Sequence, residues 1–311
     1  MEYITLKNSD LRVSRLCMGG CPMGGHGWGI VHAQELIAAV QAALDQGINF
    51  FDTADTYGLG QSERTLGQAL GSRRHEAVIG SKFGVRVGEN GTVYDNSPEW
   101  IRTACENSLR RLNTDYIDLY QIHYRDGKTP LADVVGALEE LRAEGKIRHF
   151  GFCNLTVKDL NDLQAYKGKF CTLQNQYSLA RRDLEEDIRT LSKELDLTPL
   201  TWGSLGQGIL TGKYERSATF GSDERRSRKV YVNFHGDKLL KNLEIVEKMR
   251  EVAKHYNKPL SALAVRIILD YLPGSVVLCG AKRPAQILES AESLGWKLDP
   301  EHINALELAS R

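Results

Sequence analysis

INFFDTADTYGLGQSE, residues 48–63, carries an apolar run in Ile48, Phe50 and Phe51, a carboxylate immediately after it in Asp52, and a phenol, Tyr57, among glycines beyond. The run has the length and residue types of a buried strand. Upstream, Leu36, Val40 and Leu44 recur on one helical face from Ala33 until Gly47, a residue that ends helices. A helix therefore hands over to a strand, and the strand ends on a polar side chain.

The same unit recurs along the chain. Strand candidates are RLCMGG (15–20), INFFDTA (48–54), AVIGSKF (77–83), YIDLYQIH (116–123), HFGFCN (149–154), TLQNQY (172–177), TPLTWGS (198–204) and VVLCGA (276–281). Helical segments lie between them. One starts at Ser97 with Pro98 in its first turn and buries Ile101, Cys105, Leu109 and Leu112; another begins at Thr129 and Pro130 and ends at Gly145. Eight alternations of strand and helix imply parallel strands with right-handed crossovers, which predicts an α/β fold of the (β/α)8 TIM-barrel kind spanning residues 1–311 as a single domain. YITLKNSDLRVS (3–14) reads as an N-terminal β-hairpin turning at Asn8 and Ser9, a lid for the barrel's bottom. The Arg-rich segment from Tyr214 to Lys241, after the seventh strand, is too long for an ordinary connection and is expected to be a functional loop over the top. The rival, an open doubly wound sheet, would show G-x-G-x-x-G after its first strand, and GGCPMGG (19–25) has the glycines without that spacing.

Composition excludes several functions. The 311 residues are 41% hydrophobic, and 40 basic side chains balance 40 acidic ones. No Lys/Arg block supplies the field that nucleic acid or an anionic membrane surface needs. No signal-like N-terminus or long apolar window is present, so a soluble cytoplasmic protein is expected. The six cysteines are scattered, mostly within apolar runs, which argues against a disulfide framework. Cys17, Cys21 and His26 match no zinc spacing and lack a fourth ligand, so no metal is expected.

In a parallel barrel the site forms at the C-terminal strand ends. Asp52, Lys82, His123 and Asn154 close the second to fifth strands, Gln174 lies in the sixth, and Tyr57 hangs beyond the second. Singly, each has an ordinary use as a cap, a solvated charge or core packing. Together on one rim they suggest chemistry. A phenol with a pKa near 10 donates its proton poorly unless a neighbouring cation stabilises the phenolate. Lys82 can be that cation, Asp52 can keep it charged, and a neutral His123 can orient a carbonyl oxygen. These groups polarise and protonate a carbonyl but supply no electrons, so a hydride must come from a cofactor.

These residues sit in motifs that resemble the aldo-keto reductase superfamily over nearly the whole chain: FFDTADTYGLGQSE, the Lys of GSKFG, the His of DYIDLYQIH, EGKIRHFGFCN, LQNQYS, WGSLGQGILTGKY and GAKRPAQILES. The resemblance implies a (β/α)8 barrel and a catalytic tetrad of Asp52, Tyr57, Lys82 and His123, with Tyr57 as general acid in reduction and general base in oxidation. It implies a nicotinamide cofactor held without a Rossmann turn. Asn154 and Gln174 would bond the carboxamide beside Cys153, and Trp202 would stack on the nicotinamide. Ser204, Leu205, Gly206, Gln207 and Gly208, with Lys213, would line the pyrophosphate, and Arg226 would clamp it. Gly280, Ala281, Lys282, Arg283, Gln286 and Glu289 would hold the adenosine end.

Lys282 and Arg283 suit a 2′-phosphate, so NADPH/NADP is the expected cofactor and NADH the second choice. The sequence departs from the family pattern at three places: Cys153 replaces a usual Ser, Ser290 replaces a common Asn, and HYRDGKTP follows the His where relatives often carry an aromatic and Pro. The expected function is reduction of an aldehyde, ketone or sugar-like carbonyl to an alcohol, or the reverse oxidation. Trp28 in GGCPMGGHGWG, and Tyr231 and Phe234 in the long loop, are expected to shape the substrate pocket. Two alternatives stand beside this reading: a cofactor-binding regulatory subunit with slow turnover, and a non-redox sugar-binding or isomerising barrel.

Overall fold

A computed structural model describes residues 1–25, 27–88, 91–222 and 224–311, so His26 lies outside the described residues. The chain opens with an antiparallel hairpin, β1 (Tyr3–Thr5) and β2 (Arg12–Ser14). The first unit is β3 (Leu16–Gly19) and α1 (Ala33–Asp45), the second β4 (Phe50–Asp52) and α2 (Gln61–Leu70). Next come β5 (Val78–Phe83), a second hairpin of β6 (Val85–Gly88) and β7 (Gly91–Tyr94), and α3 (Pro98–Leu112). Then follow β8 (Ile117–Ile122), α4 (Leu131–Ala143), β9 (Ile147–Cys153), the one-turn α5 (Leu160–Leu163), β10 (Thr172–Gln176) and α6 (Glu185–Glu194). The chain ends with β11 (Thr198–Trp202), α7 (Gly236–Tyr256), α8 (Leu260–Tyr271), β12 (Val276–Gly280), α9 (Pro284–Ala291) and α10 (Pro300–Ser310).

Strands β3, β4, β5, β8, β9, β10, β11 and β12 pair in parallel and close a barrel where Val277 meets Leu16. Each coincides with one of the eight expected runs, and the hairpin of residues 3–14 is also present. The predicted helix starts hold as well. Ser97 Oγ accepts from the Trp100 amide at 3.4 Å ahead of Pro98, which leaves the first turn of α3 with one fewer orphan donor.

Alternation along each strand sorts side chains between two cores. Inward residues near the strand starts, Cys17, Phe50, Leu119, Leu200 and Val276, form with Cys171, just ahead of β10, a plug that Leu6, Leu11 and Val13 of the N-terminal hairpin seal from below. Outward residues such as Phe51, Tyr120 and Ile122 pack beneath the helices. One inward step higher, apolar gives way to polar: Phe50 is followed by Asp52 and Leu119 by Gln121. Thr172 Oγ1 donates to Gln121 Oε1 at 3.3 Å within this layer.

Two elements differ from expectation. The β6–β7 hairpin was not anticipated, although Gly91 with flanking Val85, Val87 and Val93 is hairpin chemistry. The long loop is shorter than Tyr214 to Lys241, because α7 begins at Gly236. Its first turn is polar and its buried face begins only at Leu239, which hides the helical period from the sequence.

Candidate active site

Asp52 is the last residue of β4, Lys82 lies near the end of β5, and His123 follows β8 directly. Tyr57 reaches them from a loop that needs its glycine, because a Cβ on Gly58 (φ +61°) would lie 2.1 Å from the Gly24 carbonyl oxygen. The rest of the opening motif anchors this loop. Ser62 Oγ donates to Gly20 O at 2.8 Å, and the fully buried Glu63 accepts from Ser81 Oγ and Arg111 Nε, each at 2.6 Å. Asp55 lies near Glu63, and burial together with that second carboxylate pushes its carboxyl up to about 8.

Lys82 is 0% exposed. Its ammonium donates to Asp52 Oδ2 at 2.6 Å, to Thr53 O at 2.8 Å and to the Tyr57 hydroxyl at 3.4 Å. Burial alone would pull this amine down, yet the Asp52 carboxylate holds it above the ordinary lysine value, so it is a cation at neutral pH. Burial raises the Tyr57 phenol and the Lys82 charge pulls against that rise. A protonated phenol beside a fixed ammonium can give up a proton to a bound oxygen and then have its anion stabilised. His123 is pushed down to about 3 by burial and by Lys82, so its imidazole is neutral. Its ring stands edge-on to Tyr57, 5.9 Å between centroids, and its Nδ1 is buried without a partner.

The expected carboxamide-binding residues lie beside this group but have other attachments. Asn154, in a left-handed conformation (φ 55°), donates to His123 O at 3.0 Å and accepts from Trp202 Nε1 at 3.2 Å, which ties the fourth, fifth and seventh barrel strands together. Gln174 turns inward and donates to Asp52 Oδ1 at 2.7 Å. Gln121, which sequence reasoning missed, donates to the same oxygen at 3.3 Å. The available signal was its inward position two residues after Leu119. Cys153 is buried next to Gln174 in register, and burial raises its thiol.

The turn after β11 is built from unusual backbone: Gly206, Gln207 and Gly208 all have positive φ. Ser204 is buried and donates from Oγ to Thr201 O at 3.0 Å, and Leu205 packs against the outer core. Gln207 meets the long loop, its carbonyl accepting from Arg226 Nε at 3.2 Å and its side chain from Asn233 at 2.8 Å. Phe234, expected in the pocket, is instead buried against Tyr214 and Phe220 and roots the loop, with Tyr231 partly buried against the same core.

Opposite that turn, Ala281 is buried at the end of the eighth strand, Gly280 approaches Pro22, and Lys282 donates from Nζ to Trp28 O at 2.7 Å. Arg283 pairs with Glu35 at 3.4 Å, Gln286 accepts from the Lys282 amide at 2.8 Å, and Glu289 accepts from Ser261. Lys213, Arg226, Lys282 and Arg283 face two carboxylates, Glu224 and Glu35. Burial lowers the Lys213 and Lys282 ammoniums, and repulsion from Arg226 and the other cations lowers them further. Such crowding is costly without an anion and favourable with one. The described residues contain no cluster of His, Cys, Asp and Glu suited to a metal.

Residues 15–311 match the profile of the Aldo/keto reductase family. The chain belongs to that family. It is 34% identical to aldo-keto reductase YhdN of Bacillus subtilis over 97% of this chain and 91% of the relative. It is 32% identical to the NADH-specific methylglyoxal reductase of Escherichia coli, over 96% and 95%. Among solved structures, a glycerol dehydrogenase of Gluconobacter oxydans superposes with a TM-score of 0.89 at 33% identity, covering 99% of this chain and 94% of that one. An aldo-keto reductase of Klebsiella pneumoniae in complex with NADPH gives a TM-score of 0.73 at 28% identity, over 99% and 95%. The barrel and the family inferred from the sequence therefore stand.

Proposed function

We propose that this aldo/keto reductase is an NADPH-dependent carbonyl reductase, running in reverse as an alcohol dehydrogenase, with Tyr57 as the acid and base. The observation that carries this reading is the Lys82 ammonium, fully buried between the Asp52 carboxylate and the Tyr57 hydroxyl. In reduction Tyr57 gives its proton to the carbonyl oxygen while Lys82 stabilises the phenolate left behind. Asp52, fixed by Gln174 and Gln121, keeps Lys82 charged through the cycle. Neutral His123 orients the carbonyl oxygen toward the phenol.

When bound, the nicotinamide supplies the hydride. The crowded cations support a phosphate-rich nucleotide, in which Arg226 and Lys213 would meet the pyrophosphate, and Lys282 and Arg283 a 2′-phosphate. The NADPH complex of the Klebsiella relative agrees with this choice, and the NADH-specific relative marks NADH as the alternative to test.

The test is a titration with NADPH and NADH followed by Trp fluorescence, then oxidation of the bound nucleotide with aldehydes and ketones beside Tyr57→Phe. We expect tighter NADPH binding, unchanged in the variant, with kcat reduced by about 10²–10⁴-fold. If neither nucleotide binds, the hydride mechanism fails and the non-redox barrel is the surviving alternative. Because His123 is neutral above about 3, kcat/KM should show no acidic limb between pH 5 and 8 that His123→Gln removes.

A further inference from the structure

The β6–β7 hairpin stands beside the catalytic group and no step above uses it. Its register pairs Val85 with Tyr94 and Val87 with Thr92, so these four side chains share one face, while Arg86 and Val93 share the other. The second face is turned toward α3, where the Arg86 guanidinium lies 4.6 Å from the Trp100 ring. The first face is turned toward the site. Tyr94 stacks on Tyr124 with centroids 5.1 Å apart, and Tyr124 stacks on His123 at 5.0 Å. His123 in turn meets Tyr57. A continuous row of rings thus runs from the acid to the hairpin.

The outer end of the row is open. Tyr94 is 46% exposed and Val87, on the same face, is 52% exposed. Tyr94 continues the row of rings that ends at His123, so an apolar group of a ligand lying along that row would cover it. The neighbouring charges are committed elsewhere: Arg86 pairs with Asp95 at 2.7 Å, and Arg125 with Asp159 at 2.8 Å and Asp162 at 3.1 Å. Offset or edge-on ring contacts are what such a wall can give.

We propose that Tyr94, Tyr124 and Val87 form an outer specificity subsite for an aryl group carried about two or three carbons from the reacting carbonyl, so that this enzyme prefers aryl-alkyl aldehydes or ketones over short aliphatic ones. The inference rests on the proposed reductase activity for its direction, and Tyr94 acts in it as a specificity residue rather than a catalytic one.

The test compares 3-phenylpropanal with propanal, which share the reacting carbonyl and differ by the terminal ring. We expect wild-type enzyme to favour 3-phenylpropanal in kcat/KM, mainly through KM, and Tyr94→Ala to reduce that preference by roughly three- to tenfold. Tyr94→Phe should retain it. An equal loss on both aldehydes, or an unchanged ratio, overturns the proposal. Calorimetric binding of 3-phenylpropionate against propionate, with NADPH present and absent, needs no turnover. If neither nucleotide binds and neither aldehyde is reduced, the reductase reading fails, while the same Tyr94→Ala loss in 3-phenylpropionate binding still upholds the subsite and its absence still rejects it.

Discussion

The two hairpins of this barrel are alike in length and opposite in use. At the bottom, the turn of β1–β2 buries Leu6 and Leu11 to 1% exposure, and they seal the interior. At the top, β6–β7 leaves Val87, Val93 and Tyr94 about half in water. In the first, apolar side chains are spent on closing the core, where each buried side chain contributes about 1.5–3 kcal/mol. In the second they lie beside the proposed catalytic group, where little stability is gained and a ligand can be met. The contrast follows the division of labour of parallel barrels, with stability at the N-terminal face and chemistry at the C-terminal face.

Asp52 is where that division should break most sharply. It belongs to the chemical face, yet it is the counter-charge of a fully buried ammonium. Replacing one partner of a buried pair leaves the other uncompensated, which costs about 3–5 kcal/mol when the charge persists. In Asp52→Asn burial acts on Lys82 with its largest opposing partner removed and lowers its pKa from the raised wild-type value. The charged form exists only below that pKa, so the variant should lose residual activity as pH rises through a range where wild-type activity is flat. A pH profile of kcat together with urea unfolding checks both effects. Full stability with a wild-type profile would mean that Asp52 does not hold the Lys82 charge.

Leu11→Ala tests the opposite face. Truncating a side chain 1% exposed in the plug should cost about 2–5 kcal/mol in chemical denaturation while kcat per folded molecule stays at the wild-type value. A comparable fall in kcat would show that the plug also positions Asp52, which lies one inward step above Phe50.

Smaller in effect is the cation cluster. Lys282→Ser with Arg283→Ser removes the charges proposed for a 2′-phosphate, so NADPH affinity should fall by about tenfold or more while NADH affinity changes little. Equal weakening of both nucleotides would place these cations on the pyrophosphate instead.

The sequence carried the barrel because each of its strands is a short apolar run separated from the next by helical spacing, and the catalytic candidates because each stands where such a run ends. What it hid depends on closure. Gln174 and Asp52 are 122 residues apart, and only the closed barrel turns both into one interior, so the amide expected on a cofactor is found on a carboxylate. Gln121 was hidden for the same reason. The Ser204 hydroxyl's bond to Thr201 was likewise out of view, because its spacing from Trp202 does not say that the side chain folds back onto the strand. The start of α7 was obscured by a polar first turn, and the β6–β7 hairpin by strands whose side chains beyond Val85 are exposed, which leaves no alternating buried face for periodicity to reveal.

That exposure gives the smallest predicted effect and the most discriminating one for the two faces of the top hairpin. Val93 lies on the Arg86 side and Val87 on the Tyr94 side. Valine to threonine keeps the branched shape and the strand preference, so neither Val93→Thr nor Val87→Thr should shift stability by more than about 0.5 kcal/mol. Their effects on selectivity should nevertheless differ. Val87→Thr places a hydroxyl in the proposed aryl wall and should lower the preference for 3-phenylpropanal over propanal, whereas Val93→Thr, turned toward α3, should leave it unchanged. Equal shifts in both variants would mean that the hairpin acts through its overall position, and the assignment of Tyr94's face as the recognition surface would then be wrong.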